Sequence, residues 1–428
     1  MRSFQGGVHP PYNKITQDRP IERVKPPDRL VIPLVQHTGA LCKPLVEKGQ
    51  EVERGQKIGK AEAFISAPVH TPISGVVKEI ASHPHPVVGE AMAVVVEGGE
   101  EESEDWPRGE LDPEYISPKE IRSRVREAGI VGLGGAAFPT AVKLSPPEDK
   151  PIDTVILNGC ECEPYLTADH RIMLERPEDC ILGLILVLRA VGAERGIIGV
   201  EANKPDAIEA LRKAADGKVE VVPLKVKYPQ GAEKMLIKAL LDREVPSGGL
   251  PMDVGVVVQN VGTAVAITEA VRDGKPLIER VVTVTGEVRR PGNYLVPIGT
   301  PFSWVLEAAG GLSESASRVV MGGPMMGIAQ RTLDVPVVKG TSGILALAED
   351  IPPEEGTCIR CARCVDHCPM GLMPTLFVKL AKGERWDLLR DAHIMDCIEC
   401  GSCAFVCPAR ISIVHYAKLG KLRVRLLR

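Results

Sequence analysis

C-I-R-C-A-R-C-V-D-H-C-P at residues 358–369 and C-I-E-C-G-S-C-A-F-V-C-P at residues 397–408 decide how the rest of this chain is read. Each run has the spacing C-x2-C-x2-C-x3-C-P, in which three close thiolates face one [4Fe-4S] cubane and the fourth cysteine ligates the other cluster. Two runs therefore predict two clusters with crossed ligation. Cys358, Cys361, Cys364 and Cys407 form one ligand set, and Cys397, Cys400, Cys403 and Cys368 the other. Structural zinc asks for four ligands per site and gives no reason for a third cysteine at regular spacing or a proline behind the fourth. A disulfide lattice suits small secreted domains, whereas this sequence reads as having no secretory signal peptide and holds enough apolar residues for true cores.

Outward from that segment, 428 residues with 44% hydrophobic and 25% charged content predict a soluble chain of several globular domains. Aromatic residues make up only 4%, which argues against a protein that works by stacking bases, so no nucleic-acid partner is expected. The longest apolar run, residues 181–188, is far too short to span a bilayer. No membrane anchor is thus expected in this chain. Cys42, Cys160, Cys162 and Cys180 read as free thiols of a reducing cytoplasm. The formal charge of −4 divides into about +6 for residues 357–428 and about −10 for the rest. Cationic side chains that offset thiolate-bound clusters explain most of this, and the tail Lys418, Lys421, Arg423, Arg425 and Arg428 is in addition a candidate contact for anionic lipid or an acidic partner.

In chain order, residues 1–28 are rich in Pro, Gly and polar residues and predict an extended arm. Residues 29–99 hold short Val and Ile runs punctuated by glycine, an all-β module. The echoed V-E-K-G-Q and V-E-R-G-Q at 46–50 and 52–56 resemble the barrel-sandwich domains that carry biotin or lipoate. Their acceptor lysine is missing from the hairpin A-E-A-F-I-S at 61–66, so a docking module without a swinging arm is expected. Residues 100–114 are an acidic, breaker-rich linker. Ser117-Pro118-Lys119-Glu120 opens a helix with a capping box, closed by Gly129. Strands then alternate (154–157, 196–200, 219–226, 254–258) with helices (179–189, 206–215, 232–241, 264–272), which predicts a mostly parallel α/β sheet within residues 115–276. Residues 277–349 form a small α+β module with one helix at 301–309. Residues 350–428 form an α-helical ferredoxin-type domain, with helical periodicity between the two cysteine runs. The fold class is accordingly multidomain α/β and α+β.

The loop G-I-V-G-L-G-G-A-A-F-P-T at 129–140 contains G-x-G-x-x-A but leaves a helix, whereas a dinucleotide fingerprint leaves a strand. Its glycines permit close ligand approach, and Pro139 is placed to start a helix whose amides hold a phosphate. Taken alone, the loop reads equally as an ordinary glycine-rich turn. N-G-C-E-C-E-P at 158–164 and Q-N-V-G-T at 259–263 sit at the ends of predicted strands, where open parallel sheets bind ligands.

G-L-G-G-A-A-F-P-T-A-V-K, N-G-C-E-C-E-P, Y-P-Q-G-A-E and Q-N-V-G-T are similar to the FMN and NADH motifs of the flavoprotein subunit of respiratory complex I, over roughly residues 115–350. T-G-E-V-R-R-P-G-N-Y is similar to that subunit's β-grasp (SLBB) domain. F-Q-G-G-V-H-P, the barrel-sandwich module and the paired cysteine runs extend the resemblance to nearly the whole chain, in the family of RnfC, a component of the Rnf complex, which is an ion-translocating ferredoxin:NAD+ oxidoreductase. The resemblance implies FMN held by Gly132, Gly134 and Gly135, with Asn158, Asn260 and Thr263 near the flavin. It also implies a nicotinamide pocket near Phe138, Lys143, Glu161, Glu163 and Glu233. Cys160, Cys162, Ala232 and Leu144 depart from the complex I pattern, which leaves the flavin contacts better founded than the nicotinamide ones.

The implied function is hydride exchange between NAD(H) and FMN, with single electrons passing to two [4Fe-4S] clusters. Membrane subunits that move ions, and another iron-sulfur subunit or ferredoxin, are the expected partners, with the chain peripheral on the cytoplasmic face. Two alternatives stand beside it: a flavin and iron-sulfur cobalamin reductase of diol-using microcompartments, and a non-catalytic electron conduit that has lost its nucleotide.

Overall fold

The computed structural model describes residues 1–98, 106–348 and 354–427. The start of the linker, the boundary at 349/350 and Arg428 lie outside the described residues.

The apolar strands of the α/β region, Thr154–Gly159, Arg195–Glu201, Glu220–Leu224 and Val256–Asn260, are almost fully buried because helices cover both faces of the sheet. They pair in parallel in the spatial order Glu220–Leu224, Arg195–Glu201, Thr154–Gly159, Val256–Asn260. The winding reverses beside Thr154–Gly159, so the crevice opens between that strand and Val256–Asn260, with Asn158 opposite Asn260. Helices Pro177–Val191 and Val261–Thr268 pack closely on one face. A Cβ on Gly183 would lie 2.2 Å from the Ala264 carbonyl, so glycine sets that approach.

Helix Pro118–Glu127 starts at Ser117, whose Oγ accepts from the Glu120 amide at 3.2 Å, and Gly129 leaves it at φ +66°. Only half of the expected capping box forms, because the Glu120 carboxylate pairs with Arg124 one turn on. The fourth strand starts two residues later than its apolar run suggests, since Pro251–Val254 makes a 3-10 turn ended by Gly255. Helix Ala168–Glu175 has no signature in the sequence for a physical reason: Thr167 makes no side-chain cap, and the first-turn amides of Asp169 and His170 bond the carboxylate of Glu161, outside the local window.

The barrel-sandwich module forms from two sheets around Leu30, Ile32, Ile58, Val69, Val77, Val94 and Val96. The α+β module holds helix Phe302–Ala308 against a sheet to which the N-terminal arm adds Ile21–Arg23, parallel to Gly292–Pro297. The arm is thus integral to the fold. In the C-terminal domain, helices Pro374–Lys382, Trp386–Asp391 and Ile413–Leu426 bury Phe377, Leu389, Ala417 and Val424. The predicted inter-motif helix is interrupted at residues 383–385, where Glu384 takes φ +53°. Lys421, expected as part of a tail open to anionic lipid or an acidic partner, is engaged within the chain. Its Nζ donates to the Cys397 carbonyl at 2.6 Å and pairs with Glu399 at 2.7 Å, so it serves the second cysteine run. No helix among the described residues is long and apolar enough to cross a membrane.

Candidate flavin and iron-sulfur site

The glycine-rich loop is closed as a small ring. Gly132 N donates to the Phe138 carbonyl at 2.9 Å, Val131 bridges Pro139, and Thr140 N donates to the Ile130 carbonyl at 3.0 Å. That last bond overturns one expectation: helix Thr140–Lys143 is four residues long and its first amide is already spent, so it is not a phosphate cradle. The exposed backbone of residues 134–136 faces outward instead. Gly134 lies against Asn260, where an added Cβ would sit 3.5 Å from Asn260 Cβ, and Gly135 takes φ +107°, a conformation that favours glycine.

Three parts of the chain hold this ring. Thr263 Oγ accepts from Leu133 N at 2.9 Å. From the barrel-sandwich module, Thr38 donates its amide to Ala137 O at 3.1 Å and its hydroxyl to Ala136 O at 3.0 Å. From the α+β module, buried Arg280 donates to Leu133 O at 3.3 Å and to Lys339 O at 2.5 Å. Lys339 itself is buried, and its Nζ bonds Pro68 O and Gly129 O, both at 2.7 Å, so a single ammonium joins three domains. Burial draws it down to about 7.

At the strand ends, Asn260 caps helix Val261–Thr268 by accepting from Gly262 N and Thr263 N, and its Nδ2 donates to Asp169 at 2.6 Å. Asn158 Nδ2 donates to Gly231 O at 2.8 Å. Lys143 bonds Glu233 at 2.7 Å and Val258 O at 3.1 Å. Asn158 and Asn260 thus sit on paired strand ends with Lys143 and Glu233 close by, and Thr263 lies buried beneath the glycine loop. Glu161 is turned inward to cap the helix at Ala168, with φ +48°. Burial, opposed in part by bonds from the Met325 and Met326 amides, pushes Glu163 up to about 7. Asp169 lies above the ordinary carboxylate range, first through burial and then through Glu161.

Lys14 of the N-terminal arm organises this segment, a role with no local signal in the sequence. Its buried Nζ donates to the carbonyls of Glu161 at 2.7 Å, Glu163 at 3.0 Å and Leu166, and burial draws it down to about 8. The arm continues to the cysteine domain: Gly7 N donates to His367 O at 3.0 Å, and Gly6, at φ +73°, lies against Cys368, where a Cβ would be 2.7 Å from the carbonyl.

The residues fit a flavin nucleotide. The glycine backbone leaves room beside Asn260, and the Thr140 hydroxyl, the Gln259 amide nitrogen and both amide atoms of Gln230 are buried without hydrogen-bond partners among the described residues. The cysteines fit clusters as well. Cys368, Cys397, Cys400 and Cys403 line one cavity together with Pro369 and Met370. Burial and then the thiols of Cys400, Cys397 and Cys368 push Cys403 up to about 12. Cys364 is raised by burial and then by Cys407 and Cys361, so Cys407 of the second run lies near Cys364 of the first. Cys358 and Cys361 are exposed, whereas Cys400 is buried.

Four known families match along the chain. Residues 2–101 match the RnfC barrel sandwich hybrid domain, 125–269 the Nuo51 FMN-binding domain, 281–329 the SLBB domain and 357–411 the 4Fe-4S dicluster domain. The RnfC component of the proton-translocating ferredoxin:NAD(+) oxidoreductase complex of Clostridium ljungdahlii is 48% identical over 430 residues, covering 98% of this chain and 94% of that one. The chain belongs to the RnfC family. The corresponding component of the Na(+)-translocating ferredoxin:NAD(+) oxidoreductase complex of Acetobacterium woodii is 46% identical over 99% of this chain and 97% of its own. Its counterpart in the ion-translocating oxidoreductase complex of Rhodobacter capsulatus is 44% identical over 87% and 73%. Among solved structures, an NAD+-reducing [NiFe]-hydrogenase in the H2-reduced state aligns with TM-score 0.51 and 21% identity, covering 74% of this chain and 62% of that one, a likeness of fold. As an RnfC protein, the chain is an electron-transfer component with an FMN domain and a two-cluster domain. These matches support the Rnf reading and give no support to the corrinoid reductase or to a conduit or adaptor that has lost its nucleotide.

Proposed function

We propose that this chain is the peripheral electron-input subunit of an Rnf-type complex, on the cytoplasmic face of the membrane, exchanging electrons between NAD(H) and ferredoxin while other subunits move ions. The observation that carries the reading is an apolar contact that runs from the strand-end crevice to the second cysteine run. Cys162, beside Asn158 and Gly231 in the crevice, shares one apolar cluster with Tyr228, Val8 and Cys400. When bound, FMN supplies hydride exchange with NAD(H) and single-electron exchange with two [4Fe-4S] clusters.

The chain's own residues supply position and charge. Gly132, Gly134 and Gly135 keep side chains out of the flavin's place, with Phe138 closing their ring, while Asn158, Asn260 and Thr263 fix the surrounding loops and offer polar contacts. Lys143 with Glu233, and Glu163, are assigned to the nicotinamide side, while Glu161, turned inward to cap the helix at Ala168, holds the loop that carries Glu163. Cys358, Cys361, Cys364 and Cys407 ligate one cluster, and Cys397, Cys400, Cys403 and Cys368 the other. The test is the isolated complex under anaerobic conditions: NADH should reduce added ferredoxin or a low-potential dye only when this subunit is present. Unchanged transfer from a complex lacking it would place NADH oxidation elsewhere.

A further inference from the structure

The run G-G-P-M-M-G at 322–327, whose Met325 and Met326 amides bond Glu163, has a second contact that the site above does not use. It is the tip of a hairpin whose strands, Ala316–Met321 and Ile328–Ala329, belong to the SLBB sheet, and Gly327 N donates to Gly323 O at 3.0 Å to close the turn. The tip leaves its own domain. Met325 N and Met326 N donate to the two oxygens of Glu163 at 3.0 and 2.8 Å. A Cβ on Gly323 would lie 2.3 Å from Glu163 Oε2, so the carboxylate occupies the space of a missing side chain.

The same residues touch the second cysteine run. The Met325 carbonyl is 3.0 Å from where Gly401, at φ +81°, would carry a Cβ. The Met325 side chain packs in the cluster of Cys400, Tyr228, Val8 and Ile398, and Tyr228 donates its hydroxyl to Cys400 O at 2.7 Å. One dipeptide therefore grips Glu163 through its amides and covers the Cys400 loop through its carbonyl and thioether.

We propose that Met325 and Met326 form a positioning bridge between Glu163 and the cluster ligated by Cys368, Cys397, Cys400 and Cys403, setting both how NADH seats and how readily that cluster accepts an electron. The nucleotide half rests on the assignment of Glu163 to the nicotinamide side. Displacing the carboxylate by about 1 Å is enough to cost up to 100-fold in a positioned site. Uncovering a cluster to water favours the added negative charge of its reduced form and raises its potential.

The experiment compares Gly323→Ala, Met325→Ala, Met325→Leu and Glu163→Gln in the full chain. It measures KM for NADH and the midpoint potential of each cluster by EPR-monitored titration, with signals assigned through Cys358→Ser. Gly323→Ala and Glu163→Gln should raise KM roughly tenfold or more. Met325→Ala should raise the potential of the cluster beside Cys400 and leave the other unmoved, and Met325→Leu should restore it. Wild-type KM and potential in Gly323→Ala and Met325→Ala would overturn the bridge even if Glu163→Gln raised KM. Wild-type KM in Glu163→Gln would overturn the nucleotide assignment separately. Equal shifts of both clusters would also overturn the proposal, since they report a loosened fold.

Discussion

Gly134→Val isolates the flavin loop from the rest of the molecule. Gly134 does not have a positive φ, so a side chain adds no backbone strain, and its Cβ would meet Asn260 Cβ at 3.5 Å, an ordinary contact. Alanine should therefore fold within about 0.5 kcal/mol of wild type. Valine adds two methyls roughly 1.5 Å beyond Cβ. Pointed at Asn260, they fall well inside van der Waals distance, so they must occupy the open side, where the ligand is proposed to lie. Overpacking of this kind costs about 1–3 kcal/mol, which corresponds to a roughly 5- to 150-fold weaker FMN dissociation constant. Flavin fluorescence on titration of anaerobic protein reads the affinity, and EPR after dithionite checks that both clusters remain. FMN binding within about threefold of wild type would refute the placement of the flavin against Gly134.

Three further outcomes follow from other parts of the molecule. Cys407→Ser should perturb the cluster of Cys358, Cys361 and Cys364 in EPR, and damage confined to the cluster of Cys397, Cys400 and Cys403 would contradict crossed ligation. Thr38→Val should weaken FMN binding several-fold with little change in thermal stability, because only the bond to Ala136 O is lost, and Thr38→Ser should restore it; equal affinity in all three would remove Thr38 from the site. Lys339 holds a folded pKa of about 7 against an ordinary 10.5, so between these values the unfolded chain binds the extra proton and stability rises with pH, by at most on the order of 5 kcal/mol across the whole window, while below 7 the effect is flat. Denaturant unfolding at pH 7 and 9 should show this slope reduced in Lys339→Met, and an unchanged slope would mean that Lys339 does not titrate in that window.

What the sequence disclosed follows the range of the interactions involved. Each cysteine run is a short motif, and strands such as Thr154–Gly159 announce themselves by apolar runs, so both are legible locally. Lys14 is not, because its partners Glu161 and Glu163 lie 147 and 149 residues away and only the folded arm brings them together. Thr38 and Arg280 reach the glycine loop from other domains for the same reason. Lys421 misleads because a charge near a chain end usually meets water, yet here the Cys397 carbonyl and Glu399 claim it. The helix at Ala168–Glu175 lacks a local cap, since Glu161 supplies one from the preceding loop.

Entry of electrons through the flavin is tested most directly by rapid mixing of NADH with anaerobic protein stripped of FMN but retaining both clusters, beside the same protein after FMN is restored. Cluster EPR signals should appear within turnover time only in the restored sample, while dithionite reduces the clusters in both. Equal NADH-driven cluster reduction without FMN would contradict the claim that electrons enter through the flavin site at Gly134 and Asn260.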